Sequence, residues 1–332
     1  MIIRLFKFAV WGLLSLVLSA AVSSPAVAQV VLFAEDFDGL PLGPPVAEPI
    51  PFPNAFTHEP PPGWFRNASQ VPGVGNPDLG IEEWEGWSFA SSDFWQLAAQ
   101  LDTGSSTLRE AFFRGFGTVA VADKDQWNDL GNTANVPAGV LFNTLLETPA
   151  IDVSSATPPD IRLKLGFDSS WFGGACCNDG VGFDPPGQPE PFSDNQSAFV
   201  RIRNASGAVT EVLRWEAAPF IDVATGDPRP MPGPGTIPNP DFKPLNPNER
   251  VWVDLEPQSG AALSTLLGVT GTGSGGGGGA TIEFGMEDAG DDGWWAIDNV
   301  EVLTLTTIQG DMNVNDMLDA GDVPAFALGL LD

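Results

Sequence analysis

Apolar and polar residues alternate with a period of two along many short stretches of this chain, the mark of strands with one face buried. The clearest case is IRLKLGFDSSW at 161–171, where Ile161, Leu163, Leu165 and Phe167 share one face and Arg162 and Lys164 take the other. Further candidate strands are VLFAEDF (31–37), GTVAVAD (117–123), FNTLLETPAIDV (142–153), SAFVRIRN (197–204) and TEVLRWE (210–216). RVWVDL (250–255), ATIEFGME (280–287) and WWAIDNVEVLTL (294–305) complete the set. Gly207 joins 197–204 to 210–216 as neighbours. Helical patterning is confined to 92–100 and 106–115, both short, and the proline-rich stretches 41–62 and 228–247 read as surface loops or polyproline segments. No repeat of fixed period shows. The pattern predicts an all-β fold, an antiparallel two-sheet sandwich.

Composition supports this and adds compartment. The chain has 38 Gly and 31 Pro, too many for long helices but suited to many turns. With 43% hydrophobic and 17% charged residues, most of it can bury a core and is not disordered. Trp64, Trp84, Trp87, Trp95, Trp171, Trp215, Trp252, Trp294 and Trp295 exceed what one sheet pair is expected to bury. Two readings stand: an exposed aromatic strip that stacks on sugar rings, or an unusually large core. A formal charge of −29 excludes nucleic acid and anionic lipid as charge-driven partners and favours divalent cations. Arg4 and Lys7 precede an apolar run from Phe8 to Val22, and Ala26 and Ala28 follow, so 1–28 reads as a secretory signal peptide cut before Gln29. No other run of 18 apolar residues exists, so no transmembrane anchor is expected in this chain. The expected location is secreted or extracellular, with attachment to a cell surface through a partner.

The C-terminal stretch DMNVNDMLDAGD places oxygen side chains at loop positions 1, 3, 5, 9 and 12: Asp311, Asn313, Asn315, Asp319 and Asp322. Met317 at position 7 would add a backbone carbonyl, and Ca²⁺ takes about six to eight oxygens. Behind the loop, Val323, Phe326, Ala327, Leu330 and Leu331 fall on one helical face, with Asp322 as N-cap and Pro324 in the first turn. GDMNVNDMLDAGDVPAFALGLL resembles the first half of a dockerin-type calcium repeat. The resemblance implies Ca²⁺ and attachment to a cohesin-like protein or cell-surface component, often in polysaccharide-degrading systems. Asp316 stands where that loop has Gly, and a second copy is not found, so 306–332 reads as an incomplete module. The alternative is an Asp/Asn-rich linker that binds nothing.

A second resemblance covers 31–305. FAEDFDGL, PPPGW (60–64) and EDAGDDGWWAIDNVEV (287–302) resemble jelly-roll modules of secreted and surface-anchored bacterial proteins, similar to adhesin domains and more distantly to MAM-like and carbohydrate-binding sandwiches. It implies a jelly-roll-like domain over 29–305 whose first and last strands pair. It also implies a structural Ca²⁺ held there by Glu35, Asp36, Asp298 and Asn299. The competing reading makes these residues a solvated sheet edge and turn.

Catalytic signatures are sparse. His58 is the only histidine, so His-based triads and three-His zinc sites are excluded; in its proline-rich loop it is expected to be solvated. Glu82, Glu83 and Glu85 beside Trp84 and Trp87 evoke a glycosidase acid pair, but an exposed acidic strand is the favoured reading. GTGSGGGGGA (271–280) leads into a strand rather than a helix and reads as a linker loop, not a phosphate cradle. Cys176 and Cys177 allow a vicinal disulfide, free thiols or an intermolecular bond. The sequence therefore points to a secreted, non-catalytic, calcium-binding β-sandwich for adhesion or carbohydrate binding, tethered through a dockerin-like tail. The alternative is an exported polysaccharide hydrolase, or an accessory subunit of a polysaccharide-degrading complex.

Overall fold

Strand β1 (Val30–Glu35) runs antiparallel to the last strand, β16 (Trp294–Thr306), from Val30↔Thr304 to Glu35↔Val300, with a register shift between Val31 and Phe33. The expected pairing of first and last strands is present. The computed structural model describes residues 30–74, 80–103, 108–127, 142–152, 161–173, 196–204, 207–229, 232–255, 279–289 and 293–306. The leader 1–28, the Cys176–Cys177 pair, most of the glycine-rich stretch and the calcium-type loop Asp311–Asp322 lie outside the described residues.

Between these two strands the chain forms β2 (Phe56–Thr57), β3 (Phe65–Gln70), β4 (Trp87–Ser91), β5 (Thr118–Asp123), β6 (Phe142–Glu147) and β7 (Ile151–Asp152). Then come β8 (Ile161–Phe172), β9 (Ser197–Arg203), β10 (Val209–Glu216), β11 (Phe220–Asp222), β12 (Pro228–Arg229), β13 (Thr236–Pro238), β14 (Asn246–Asp254) and β15 (Gly279–Ala289). A seven-stranded sheet has the order β14-β8-β16-β5-β4-β2, with β1 also on β16. A six-stranded sheet has the order β10-β9-β15-β6-β3, with β7 also on β15. The two pack as an antiparallel, mostly β sandwich, and β12-β11-β13 form a small satellite sheet. The expected strands are present, except that 142–153 is broken after Glu147 into β6 and the short β7. The 228–247 stretch departs from a pure loop, because β12 and β13 add to β11 there.

Leu163, Leu165 and Phe167 of β8 face inward, as their alternation demands, and meet Phe284 and Met286 of β15 and Val200 and Ile202 of β9 in one core. Trp295 is its hub, with ring centroids 5.4 Å from Trp87, 5.9 Å from Trp215 and 6.1 Å from Phe167. Eight of the nine tryptophans in question are buried, and Trp252 alone is half exposed, so an aromatic strip of several indoles does not form. The core can take them because their indole N–H groups find acceptors. Trp87 donates to the Phe284 carbonyl (3.1 Å), Trp294 to Ser170 (3.2 Å), Trp295 to Ser169 (3.1 Å) and Trp171 to the Lys243 carbonyl (3.2 Å).

Helix Ser92–Thr103 forms where expected, whereas the described part of 106–115, from 108 on, holds only a single turn, Arg109–Ala111, entered through Leu108 at φ 66°. The acidic segment is not an exposed strand. Glu82–Trp84 is a 3-10 turn with Glu83 fully buried, and Glu85 is buried too. Glu83 tolerates burial because the backbone N–H groups of Val46, Ala47 and Glu48 converge on its Oε1 at 2.5, 2.7 and 3.0 Å. His58 is only partly exposed, with its Nε2 buried. Burial, with the Arg66 charge adding, lowers its pKa to about 4, so it is neutral at physiological pH.

Candidate functional site

Gly166 of β8 opens the site. It lies opposite Trp252 of β14, and Arg250 lies opposite Asp168. A side-chain carbon at Gly166 would come within 2.5 Å of the Trp252 ring and 2.7 Å of Arg250 Nη2. Without one, both side chains lie flat across β8 on the outer face of the large sheet. Arg250 stacks on the Trp252 ring, its guanidinium 4.8 Å from the centroid. From there it donates to the Asn299 carbonyl at 2.8 Å and pairs with Glu301, both on β16.

The opposite wall is the loop 112–117. It is docked by Asp38, whose Oδ1 accepts the Thr118 N–H at 2.7 Å and occupies the space a side chain at Gly117 (φ 75°) would need. This places Arg114 over the sheet. Phe113 and Phe116, on either side of Arg114, are exposed.

Between these walls lies a cavity of about 560 Å³, floored by Ala34 and Val300. Glu35, Asp36, Asp168 and Glu301 line it with negative charge, Arg114 and Arg250 with positive, and Asn299 with an amide. Asp168 is its centre. Its Oδ2 accepts the Asn299 amide at 3.0 Å. Its Oδ1 is buried and accepts no hydrogen bond, although Nη1 of Arg114 and Nη1 of Arg250 each stand 3.6 Å away. That distance allows Coulomb attraction but exceeds a normal hydrogen bond.

Of the four residues proposed for a calcium in the sandwich, Glu35, Asp36 and Asn299 share this cavity and Asp298 lies behind it. Glu35 Oε1 accepts the Phe37 N–H (2.9 Å) and Asp36 Oδ1 the Asp38 N–H (3.2 Å). Asp298 accepts the Asn299 N–H (2.7 Å) and the Phe116 N–H (3.1 Å) beneath the loop 112–117. Burial pushes its carboxyl up to about 8 against the pull of these two bonds, and the charges of Asp38 and Asp168 add to the rise. Phe37 (φ 58°) and Asn299 (φ 50°) both take the left-handed conformation, an uncommon state for non-glycine residues that clusters at functional sites. Among the described residues no group of three or more Asp, Glu, His or Cys side chains is placed to hold a metal ion.

Sequence reasoning missed Arg114, Asp168, Arg250 and Glu301. The available signal was Gly166 and Asp168 on the polar face of β8, but it acquires meaning only once the β14–β8 register is known.

No family model matches this chain, and no curated protein matches it. Among solved structures it is similar to the K1 cleaved adhesin domain of Lys-gingipain from Porphyromonas gingivalis W83, with 11% identity and a TM-score of 0.35 over 83% of this chain and 97% of that one. It is also similar to a cyclase from Fischerella sp. TAU, with 12% identity and a TM-score of 0.36 over 85% of this chain and 100% of that one. At that identity and those scores nothing about the chemistry of this chain follows from either. Among the described residues no helix is long and apolar enough to cross a membrane.

Proposed function

We propose that this protein is a secreted, non-catalytic binding module for adhesion or carbohydrate binding, and that the cleft around Asp168 is its contact surface. The observation that supports this is the buried Asp168 Oδ1, which accepts no hydrogen bond beside two guanidinium groups, with an indole half exposed next to them. Such a set can receive a polar ligand by hydrogen bonding and stacking. Glycoside hydrolysis needs a protonated and an ionised carboxyl facing each other across the scissile bond. The carboxyl pushed up here, Asp298, is turned under the loop 112–117 with both oxygens on backbone N–H groups.

The proposal extends to Ca²⁺ in the loop Asp311–Asp322 and to a cohesin-like protein or cell-surface component as the tail's partner. Both rest on sequence spacing. Polysaccharide co-sedimentation tests the central reading. Binding by the native chain that is lost in Trp252→Ala, with the thermal midpoint unchanged, is the expected result. Release of reducing sugar that disappears in Asp168→Asn would replace this reading with the exported hydrolase.

A further inference from the structure

We infer that the cleft selects uncharged sugar rings with neighbouring free hydroxyls and rejects acidic sugars; this rests on the binding reading above. The discriminating atom is Asp168 Oδ1. A carboxylate only accepts and a guanidinium only donates, and here the two are held 3.6 Å apart. A hydroxyl does both. Seated on the cavity side of the pair, at hydrogen-bond distance from both, it donates its proton to Oδ1 and accepts from Arg114 or Arg250 through its lone pairs. A second hydroxyl on the adjacent ring carbon reaches the neighbouring donor, so a vicinal diol satisfies the site better than an isolated alcohol.

A ligand carboxylate or sulfate has no proton for Oδ1. It also meets four lining carboxylates, those of Glu35, Asp36, Asp168 and Glu301, against two guanidinium groups. Arg250 is already engaged with Glu301 and the Asn299 carbonyl, which leaves Arg114, nearly half exposed, as the main uncommitted donor. The whole chain, at −29, repels an anion further. The half-exposed indole of Trp252 lies beside the cleft, partly covered by Arg250, and its uncovered part offers an apolar surface for the C–H face of a ring that extends past the cleft. A volume of about 560 Å³ exceeds one hexose and suits a short oligosaccharide.

Isothermal titration of the full chain with oligosaccharides of matched length tests this. One set is neutral (cello-, manno- and xylo-oligosaccharides) and the other acidic (oligogalacturonate and oligoalginate). At least one neutral series should bind, weakened about tenfold or more by Asp168→Asn and by Trp252→Ala, the loss of about one charge-assisted hydrogen bond or one stacking contact. The acidic series should not bind measurably. Trp252→Ala changes a surface residue, so the test stands even where Asp168→Asn folds poorly. Acidic oligomers that bind as tightly as neutral ones, and are lost in the same variants, would overturn the charge selection while leaving the binding module intact. Absence of binding by every series would instead overturn the binding reading itself. The double variant Glu35→Gln/Asp36→Asn should gain affinity for oligogalacturonate, and no gain would also count against the inference.

Discussion

Two arginine–aspartate groupings on the outer face of the same sheet behave as opposites. In one half, Arg109 grips Asp123 of β5 through Nε and Nη2, both at 3.0 Å, and reaches Asp125 at 2.7 Å. Asp123 also accepts the Trp95 indole N–H at 2.6 Å and the Gln126 N–H at 3.0 Å, and the guanidinium lies 4.2 Å from the centroid of Trp294. Arg109 and Asp123 are both fully buried. Burial pushes the Asp123 carboxyl up; Arg109, which burial alone would lower, is held above its ordinary value by Asp123 and Asp125. In the other half, Asp168 sees two guanidinium groups at 3.6 Å and one amide, with an oxygen left over. Helix Ser92–Thr103 covers the first grouping, whereas the second faces a cavity. A carboxylate with a full set of partners locks a fold; one held short of its partners is ready for something else.

The largest expected effect tests the closed half. Asp123→Ala should cost about 3–5 kcal/mol in urea unfolding, because it leaves the buried Arg109 charge with Asp125 alone and strips the Trp95 and Gln126 N–H groups of their acceptor. A loss below about 1 kcal/mol would mean that the two halves are energetically alike.

Asp298, between the two halves, should give the protein a pH dependence. Its carboxyl stays protonated in the folded chain up to about 8 but ionises near 4 when unfolded. The folded state therefore binds the extra proton between those values, so this group's stabilisation falls as pH rises and levels off above about 8. Thermal melts across that range should flatten in Asp298→Asn; an unchanged slope would show that Asp298 is not the titrating group. His58 acts with the opposite sign. Neutral in the fold down to about 4 and charged below about 6.5 when unfolded, it destabilises as pH falls through that window.

Asp168→Ala sharpens the comparison from the open side. It should cost only about 1 kcal/mol of stability, since Arg114 is nearly half exposed and Arg250 keeps Glu301 as its partner, while removing glycan binding. A stability loss matching that of Asp123→Ala would make Asp168 a structural residue. The smallest effect on the sandwich should come from the tail. Asp311→Ala should abolish calorimetric Ca²⁺ binding by the loop and leave the sandwich midpoint where it was.

The fold was largely legible because strand periodicity is local. Leu163, Leu165 and Phe167 declare their face without knowledge of any partner, and 197–204 and 210–216 pair around Gly207 as their proximity implies. Part of the site was legible too, since a resemblance joining the first and last strands brings Glu35, Asp36 and Asn299 to one cavity. The burial of Glu83 was not, because the N–H groups that make it tolerable come from Val46, Ala47 and Glu48, some 35 to 37 residues earlier. Nor was the burial of eight tryptophans, which depends on acceptors such as Ser169, Ser170 and the Lys243 carbonyl.

Alternation, turn residues and charge determined by themselves that this is an all-β sandwich in a strongly acidic chain. Tertiary structure alone decided which polar residues meet and which stay incomplete. Asp168 becomes a receptive atom only because β14 pairs with β8 in a register that sets Trp252 against Gly166 and Arg250 against Asp168. A one-residue slip of β14 in that register would turn Trp252 and Arg250 to the other face and leave Asp168 without them. Hydrophobic pattern constrains which face is buried, but the distance between two charges on the exposed face is set by how strands, loop and glycine come together in space.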